Sequence, residues 1–274
     1  MNDKIYPTKL SGLSATLLIP LWAKAIEYDR PEALLEDLEA VRMMKLINYD
    51  FDKFSSAKLS QIGCCGRARL IDNETRRFIE RYPDAVVLQL GAGLDARFER
   101  LGRPNVTWFD LDLPEVIAIR RQLLPESKNR YLATSLFNES WMRFVAELHK
   151  PVLLLLEGVL MYFPEAEVKA FFAAVARHLP RATVVFDILP PAAVGKSKYH
   201  DALKKMNNEA RPEFKWALED VKTMLSWQPN LRLGEVFYLS QHVGKRYPWW
   251  VRLLYLSTCG RRKYDMRIAR LELG

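Results

Sequence analysis

The 274-residue chain is poor in the residues that build disulfide staples, metal centres and hydrolytic triads. Of its three cysteines, Cys64 and Cys65 are adjacent and badly placed to bridge each other. With Cys259 they make an odd count without metal-ligand spacing. They read as reduced thiols, the usage of a cytoplasmic protein. Four histidines, His149, His178, His200 and His242, form no H-x-x-x-H pattern, and each reads as a surface or helix-end residue. No metal site is expected. Long apolar runs are also missing. Residues 17–23 are apolar but interrupted by Pro20 and too short to span a bilayer, and MNDKIYPTKLSG at the start is a poor signal peptide. There is no internal repeat and no low-complexity linker. One domain over residues 1–274 and a cytoplasmic location are the expectations.

What is present is an ordinary globular mixture, 49% hydrophobic and 27% charged, with a formal charge of +8. The charge is uneven: between 245 and 270 stand eight Lys or Arg and one acid, Asp265. Such a stretch suits a nucleic acid, a membrane surface or an anionic small molecule, or is simply solvated. No nucleic-acid motif accompanies it, so no nucleic-acid partner is expected. Within it, YPWWVRLLYLSTCG (247–260) reads as a packed helix covering the substrate side, part of a lid at about 241–264. An interfacial helix with Arg252, Arg261, Arg262 and Lys263 towards lipid is the weaker reading, because Leu253, Leu254 and Tyr255 make the segment apolar on too many sides. No stable membrane association is expected.

Residues 1–80 read as a helical cap. Leu70, Ile71, Thr75, Phe78, Ile79 and Tyr82 recur at helical spacing before Pro83 and Asp84 punctuate the chain. From 81 onward the texture changes to short apolar runs at 85–90, 106–111, 130–134, 151–157 and 182–188. Continuous apolar runs are what parallel strands need when both sheet faces are covered. Between them lie helical segments, with Pro114 suited to the first turn of 114–123 and an apolar stripe of Val168, Phe171, Phe172, Val175 and Leu179 in 164–179. Two further strands are read at 235–240 and 267–273. The alternation predicts an α/β fold, a doubly wound and mostly parallel seven-stranded sheet with a helical N-terminal extension and a helical lid; a final antiparallel pair after five βα-type strands resembles the class I methyltransferase type, an analogy of fold.

The first strand runs into Gly91-Ala92-Gly93, a glycine turn that lets a ligand approach the backbone. Asp112 follows Gly93 by 19 residues, where an acid ordinarily holds a ribose diol, for an adenosyl or a nicotinamide cofactor alike. Glu157 ends a run of four leucines, a costly position for a carboxylate unless it meets a cation or reaches a cleft.

With GRARLID (66–72), VVLQLGAGLDAR (86–97), DLDLPEV (110–116), LLLLEGVLMYF (153–163) and TLLIPLWAKAIE (16–27), the chain resembles the leucine carboxyl methyltransferase family, in the bacterial branch near the tetracenomycin-type polyketide carboxyl O-methyltransferases. The resemblance implies S-adenosylmethionine as cofactor. It matches Arg67 to the arginine on the methionyl carboxylate and Lys24 to a second basic residue there. Gly91 and Gly93 match the turn beneath the methionyl part, Asp112 the ribose ligand, and Glu157 the acid facing the methionyl amino group. Ser135-Leu136 stand where many relatives have Asp-Leu, so Ser135 is left to hydrogen-bond adenine without a charge. The acceptor implied is a small, polyketide-like and anionic molecule methylated on a carboxylate, with a phenol or hydroxyl as the alternative. A carboxylate is ionised at neutral pH and needs no general base, so no catalytic residue is assigned. An NAD-dependent oxidoreductase would call for Tyr-x-x-x-Lys, and Tyr199 is followed at that spacing by Leu203. A non-catalytic module that kept the cofactor fold is the other rival. Oligomeric state is not read from the sequence.

Overall fold

The computed structural model describes residues 16–206 and 211–274. The first fifteen residues of the expected cap lie outside them. Chain order is three helices, α1 (Leu18–Tyr28), α2 (Leu38–Leu46) and α3 (Lys58–Arg81), and then strand and helix in alternation. The strands are β1 (Val86–Leu90), β2 (Thr107–Asp112), β3 (Arg130–Ala133), β4 (Val152–Leu156), β5 (Thr183–Ile188), β6 (Leu231–Tyr238) and β7 (Arg267–Leu273). They form one sheet in the order β3-β2-β1-β4-β5-β7-β6. The first five are parallel, and β7 inserts antiparallel to both β5 and β6. This is the doubly wound, mostly parallel sheet predicted from the sequence.

The apolar character of β4, and of β1 apart from buried Gln89, has a direct cause: alternate residues enter different cores. Val86, Leu88 and Leu90 join one cluster with Phe171 and Phe172 of α7 (Glu165–His178), whereas Val87 joins Leu153 and Leu155 in a second with Ile71 of α3. Helix α7 buries the stripe of Val168, Phe171, Phe172 and Val175. It carries Glu165 and Glu167 in its first turn and Arg177 and His178 in its last, charges that complement the helix dipole. A third core joins α1, α2 and the start of α3 to α5 (Pro114–Leu123) and to Ala202, Leu203, Met206 and Phe214, and so sets the helical cap over the carboxyl ends of β1 and β2.

Two regions differ from the sequence reading. Strand β6 begins at Leu231, not 235, and stops at Tyr238. A register shift between Leu233 and Glu235 breaks its alternation, and Leu239 and Ser240 belong to α8 (Leu239–Val243). The expected single helix at 247–260 is two short ones, α9 (Trp249–Leu254) and α10 (Thr258–Tyr264).

Candidate cofactor and acceptor site

Strand β1 ends in a turn that other side chains cannot make. Gly91 has φ +68°, and a Cβ there would lie 2.5 Å from Val159 Cγ2. The Gly91 and Ala92 N–H groups donate to the Leu111 carbonyl at 2.8 and 3.0 Å, tying the turn to β2. Asp112 closes it: one oxygen accepts the Gly93 N–H at 2.7 Å and the other the Leu113 N–H at 2.7 Å. Burial pushes the Asp112 carboxyl up, against those two hydrogen bonds. From α5, buried Arg120 donates to the Gly93 and Asp95 carbonyls at 3.0 and 2.9 Å and pairs with Asp110 at 3.0 Å. It fixes the turn from beneath.

Beside this turn lies a buried ion cluster. Glu157, at the end of β4, meets Arg67 Nε of α3 at 3.2 Å, Lys24 Nζ of α1 at 3.6 Å, and Arg97 Nη2 of α4 (Arg97–Arg100). Arg67 also meets Asp187 of β5 at 3.2 Å, and Lys24 meets Asp95 at 3.0 Å. Asp72 binds Arg97 and Arg100, and Arg100 reaches Asp37 and Asp95. The cluster therefore sets four cations, Lys24, Arg67, Arg97 and Arg100, against five carboxylates, Asp37, Asp72, Asp95, Glu157 and Asp187. Burial opposes the Glu157 charge, yet Lys24, Arg97 and Arg67 hold its carboxyl below its ordinary range. Asp95 is held further below, with Arg100, Lys24 and Arg97 overcoming burial. For Asp187 burial prevails and the carboxyl is raised. Gly158, at φ +72°, makes room here: its N–H donates to Asp187 at 2.7 Å, and a Cβ would lie 2.8 Å from Arg67 Nη2.

All eight residues predicted from the sequence, Lys24, Arg67, Gly91, Gly93, Asp112, Ser135, Leu136 and Glu157, line one cavity of about 330 Å³, within the range of small-molecule sites. Ser135 and Leu136 follow β3. Ser135 Oγ accepts the Phe137 N–H at 3.2 Å, and the Phe137 ring packs edge-on against Phe163. Glu157 is paired to arginine and also reaches the cleft. Sequence reasoning missed Asp95 and Asp187. Asp187 carries the same signal as Glu157, an acid inside an apolar strand, and Asp95 stands directly after the glycine turn.

The remaining wall differs from the expected lid. No residue of 241–264 lines the cavity. Helix α8 packs Leu239 and Val243 against Gly66 of α3, and Tyr247 and Val251 enter the core on that sheet face, which sets the segment on the flank of α3. The wall comes instead from the segment between β5 and β6, through Leu189, His200, Leu203 and Phe214. His200 does end a short 3-10 turn, Ser197–Tyr199, but its ring lines the cavity. Its Nδ1 takes the Leu203 N–H at 3.4 Å and lies 3.4 Å from Ser60 Oγ, and burial pushes the imidazole pKa down.

The model of the leucine carboxyl methyltransferase family matches residues 22–176, more than half of the chain, from α1 through α7. The chain belongs to the leucine carboxyl methyltransferase family. Tetracenomycin polyketide synthesis O-methyltransferase TcmP of Streptomyces glaucescens is 34% identical over 229 residues, 83% of each chain. The S-adenosyl-L-methionine-dependent methyltransferase dpfgK of Gibberella zeae is 26% identical over 249 residues, 84% of this chain and 83% of its own. A solved candidate methyltransferase from Thermobifida fusca YX shares the fold at a TM-score of 0.56 and 15% identity, covering 96% of this chain and 94% of its own. As a member of the leucine carboxyl methyltransferase family the chain is an S-adenosylmethionine-dependent methyltransferase. The nicotinamide reading falls with that membership. Among the described residues no helix is long and apolar enough to cross a membrane.

Proposed function

We propose that this methyltransferase esterifies a carboxylate on a small, anionic, polyketide-like organic molecule. The residues fit the cofactor. Each Asp112 oxygen accepts one backbone N–H and keeps a lone pair, together enough for a vicinal diol. Arg67 and Lys24 supply cations for the methionyl carboxylate, and Glu157 an anion for the amino group. The backbone of Gly91–Gly93 would lie beneath the methionyl chain, and Ser135 and Leu136 would border the adenine. Bound S-adenosylmethionine supplies an electrophilic methyl group on a sulfonium.

The chain's own part is then to orient and to exclude water. Holding the reacting atoms in line is worth roughly 7–11 kcal/mol. The observation that carries the carboxylate reading is the state of His200. We assign its Nδ1 as acceptor of the Leu203 N–H at 3.4 Å, the tautomer that leaves the ring proton on Nε2 and makes the imidazole a donor to the cavity rather than a base. A donor orients an acceptor that is already ionised, whereas a phenol would require a base. The relative TcmP, named for tetracenomycin polyketide synthesis, supports the acceptor class.

The test incubates the enzyme and labelled cofactor with aromatic acids and phenols. An ester, recognised by methanol released in mild base, is expected, with a rate nearly flat above about pH 6. Base-stable product from phenols alone would overturn the reading.

A further inference from the structure

The segment that does not cover the cavity presents an unusual surface. Trp249 is 72% exposed, Trp250 50%, Leu253 55% and Leu256 75%, and Leu254 is exposed as well. Of α9, only Val251 is buried. Helical spacing of about 100° per residue puts Trp249 and Leu253 opposite Val251 and Trp250 and Leu254 on one flank, each pair four residues apart. Arg252 takes the other flank. The sequence objection is that Leu253, Leu254 and Tyr255 make the segment apolar on too many sides to lie at an interface. In the structure Tyr247 and Val251 are buried in the core and Tyr255 packs against it, while Trp249, Trp250, Leu253, Leu254 and Leu256 face outward.

Cations border this surface. Arg252 and Lys263 are exposed, Arg261 is half-buried, and Asp265 is buried against the Ser240 N–H, whereas Arg262 lines a pocket with Glu165, Glu219 and Asp220. Two indoles and three leucines beside a cationic rim match the headgroup zone of a bilayer: the rings and leucines enter the acyl boundary and the cations meet anionic headgroups. A second copy is the poorer occupant, because a two-fold contact through this face would set the same cations against one another.

We propose that α9 and α10 form a reversible docking surface for anionic lipid bilayers. The surface adjoins the cavity wall: α10 packs on the 3-10 turn Pro191–Ala193, two residues beyond Leu189, which lines the cavity. The proposal stands independently of the acceptor's identity.

Sedimentation with vesicles of phosphatidylcholine mixed with phosphatidylglycerol, and of phosphatidylcholine alone, tests it. The protein is expected to sediment with the mixed vesicles and to shift its tryptophan emission to the blue. The double variant Trp249→Ser/Trp250→Ser should lose at least about tenfold in partition, the scale of burying one large apolar side chain. Arg252→Gln and Lys263→Gln should each lose about fivefold, the equivalent of ~1 kcal/mol per cation near an anionic surface. None of these side chains lines the cavity, so unchanged cofactor affinity certifies the fold of each variant. Absence of binding to the mixed vesicles would overturn the proposal. So would full binding by the double variant, or a wild-type dimer in solution that the tryptophan substitutions split.

Discussion

Single side chains carry the most direct tests of the site. Asp112→Asn keeps an oxygen for one backbone N–H but loses the charge offered to the cofactor's ribose. A hydrogen bond to a charged group is worth roughly 1.5–3 kcal/mol, so calorimetry should show adenosylmethionine affinity falling by about one to two orders of magnitude. Unchanged affinity in the folded variant would remove Asp112 from the site. His200→Phe fills similar space without a donor. It should raise the acceptor KM and leave cofactor affinity as it was, and a fall in cofactor affinity of similar size would move His200 away from the acceptor end. Arg67 and Glu157 call for milder changes, Arg67→Lys and Glu157→Gln. Each is buried against the other, and deleting one member of a buried pair strands its partner at a cost of several kcal/mol.

At the scale of elements, the loop after β4 shows how tightly the site is drawn. Gly158→Ala would force a side chain to φ +72° and against the Arg67 guanidinium. The left-handed conformation alone costs roughly 1–2 kcal/mol. Differential scanning should therefore find a melting temperature several degrees lower, together with weaker cofactor binding because Arg67 is displaced. A melting temperature equal to wild type would contradict the crowding. The parallel strands were legible because burial on both faces writes itself as unbroken runs such as Leu153–Leu154–Leu155–Leu156. Strand β6 was partly missed because it is an edge strand with Arg232 exposed and a bulge near Gly234. No strand or helix was read in the chain between β5 and β6. It buries Phe214, Trp216, Leu218, Val221 and Met224 through 3-10 turns and extended chain, which leave no period in the sequence. The site divides the same way. The glycine turn, Asp112 and Glu157 stand at strand ends, where local pattern speaks. The Arg97, Arg100 and Asp187 partners are set by tertiary approach, and His200 by a segment without periodicity.

For the whole molecule, charge burial sets the response to pH. Asp265 is pushed up to about 6 by burial, against its hydrogen bonds to Ser240. A carboxyl raised on folding favours the folded state while protonated, so that contribution is present below about pH 4 and is lost as pH rises through about 6. Asp265→Asn should consequently match wild type near pH 4 in urea titrations and exceed it by on the order of 2 kcal/mol at pH 8. Equal stability at pH 8 would refute this. Asp72, Asp95 and Glu157 act with the opposite sign: their lowered carboxyls contribute stability above the ordinary carboxylate range, and it is lost as pH falls through their folded values. The burial of that cluster also separates two properties by ionic strength. Mobile ions screen exposed charges over about 8–10 Å at physiological salt but scarcely reach pairs enclosed by protein. Added salt therefore acts on Arg252 and Lys263 and spares Lys24, Arg97 and Glu157, whose side chains are almost wholly enclosed. A saline wash should release the enzyme from a bilayer with its affinity for the methyl donor intact.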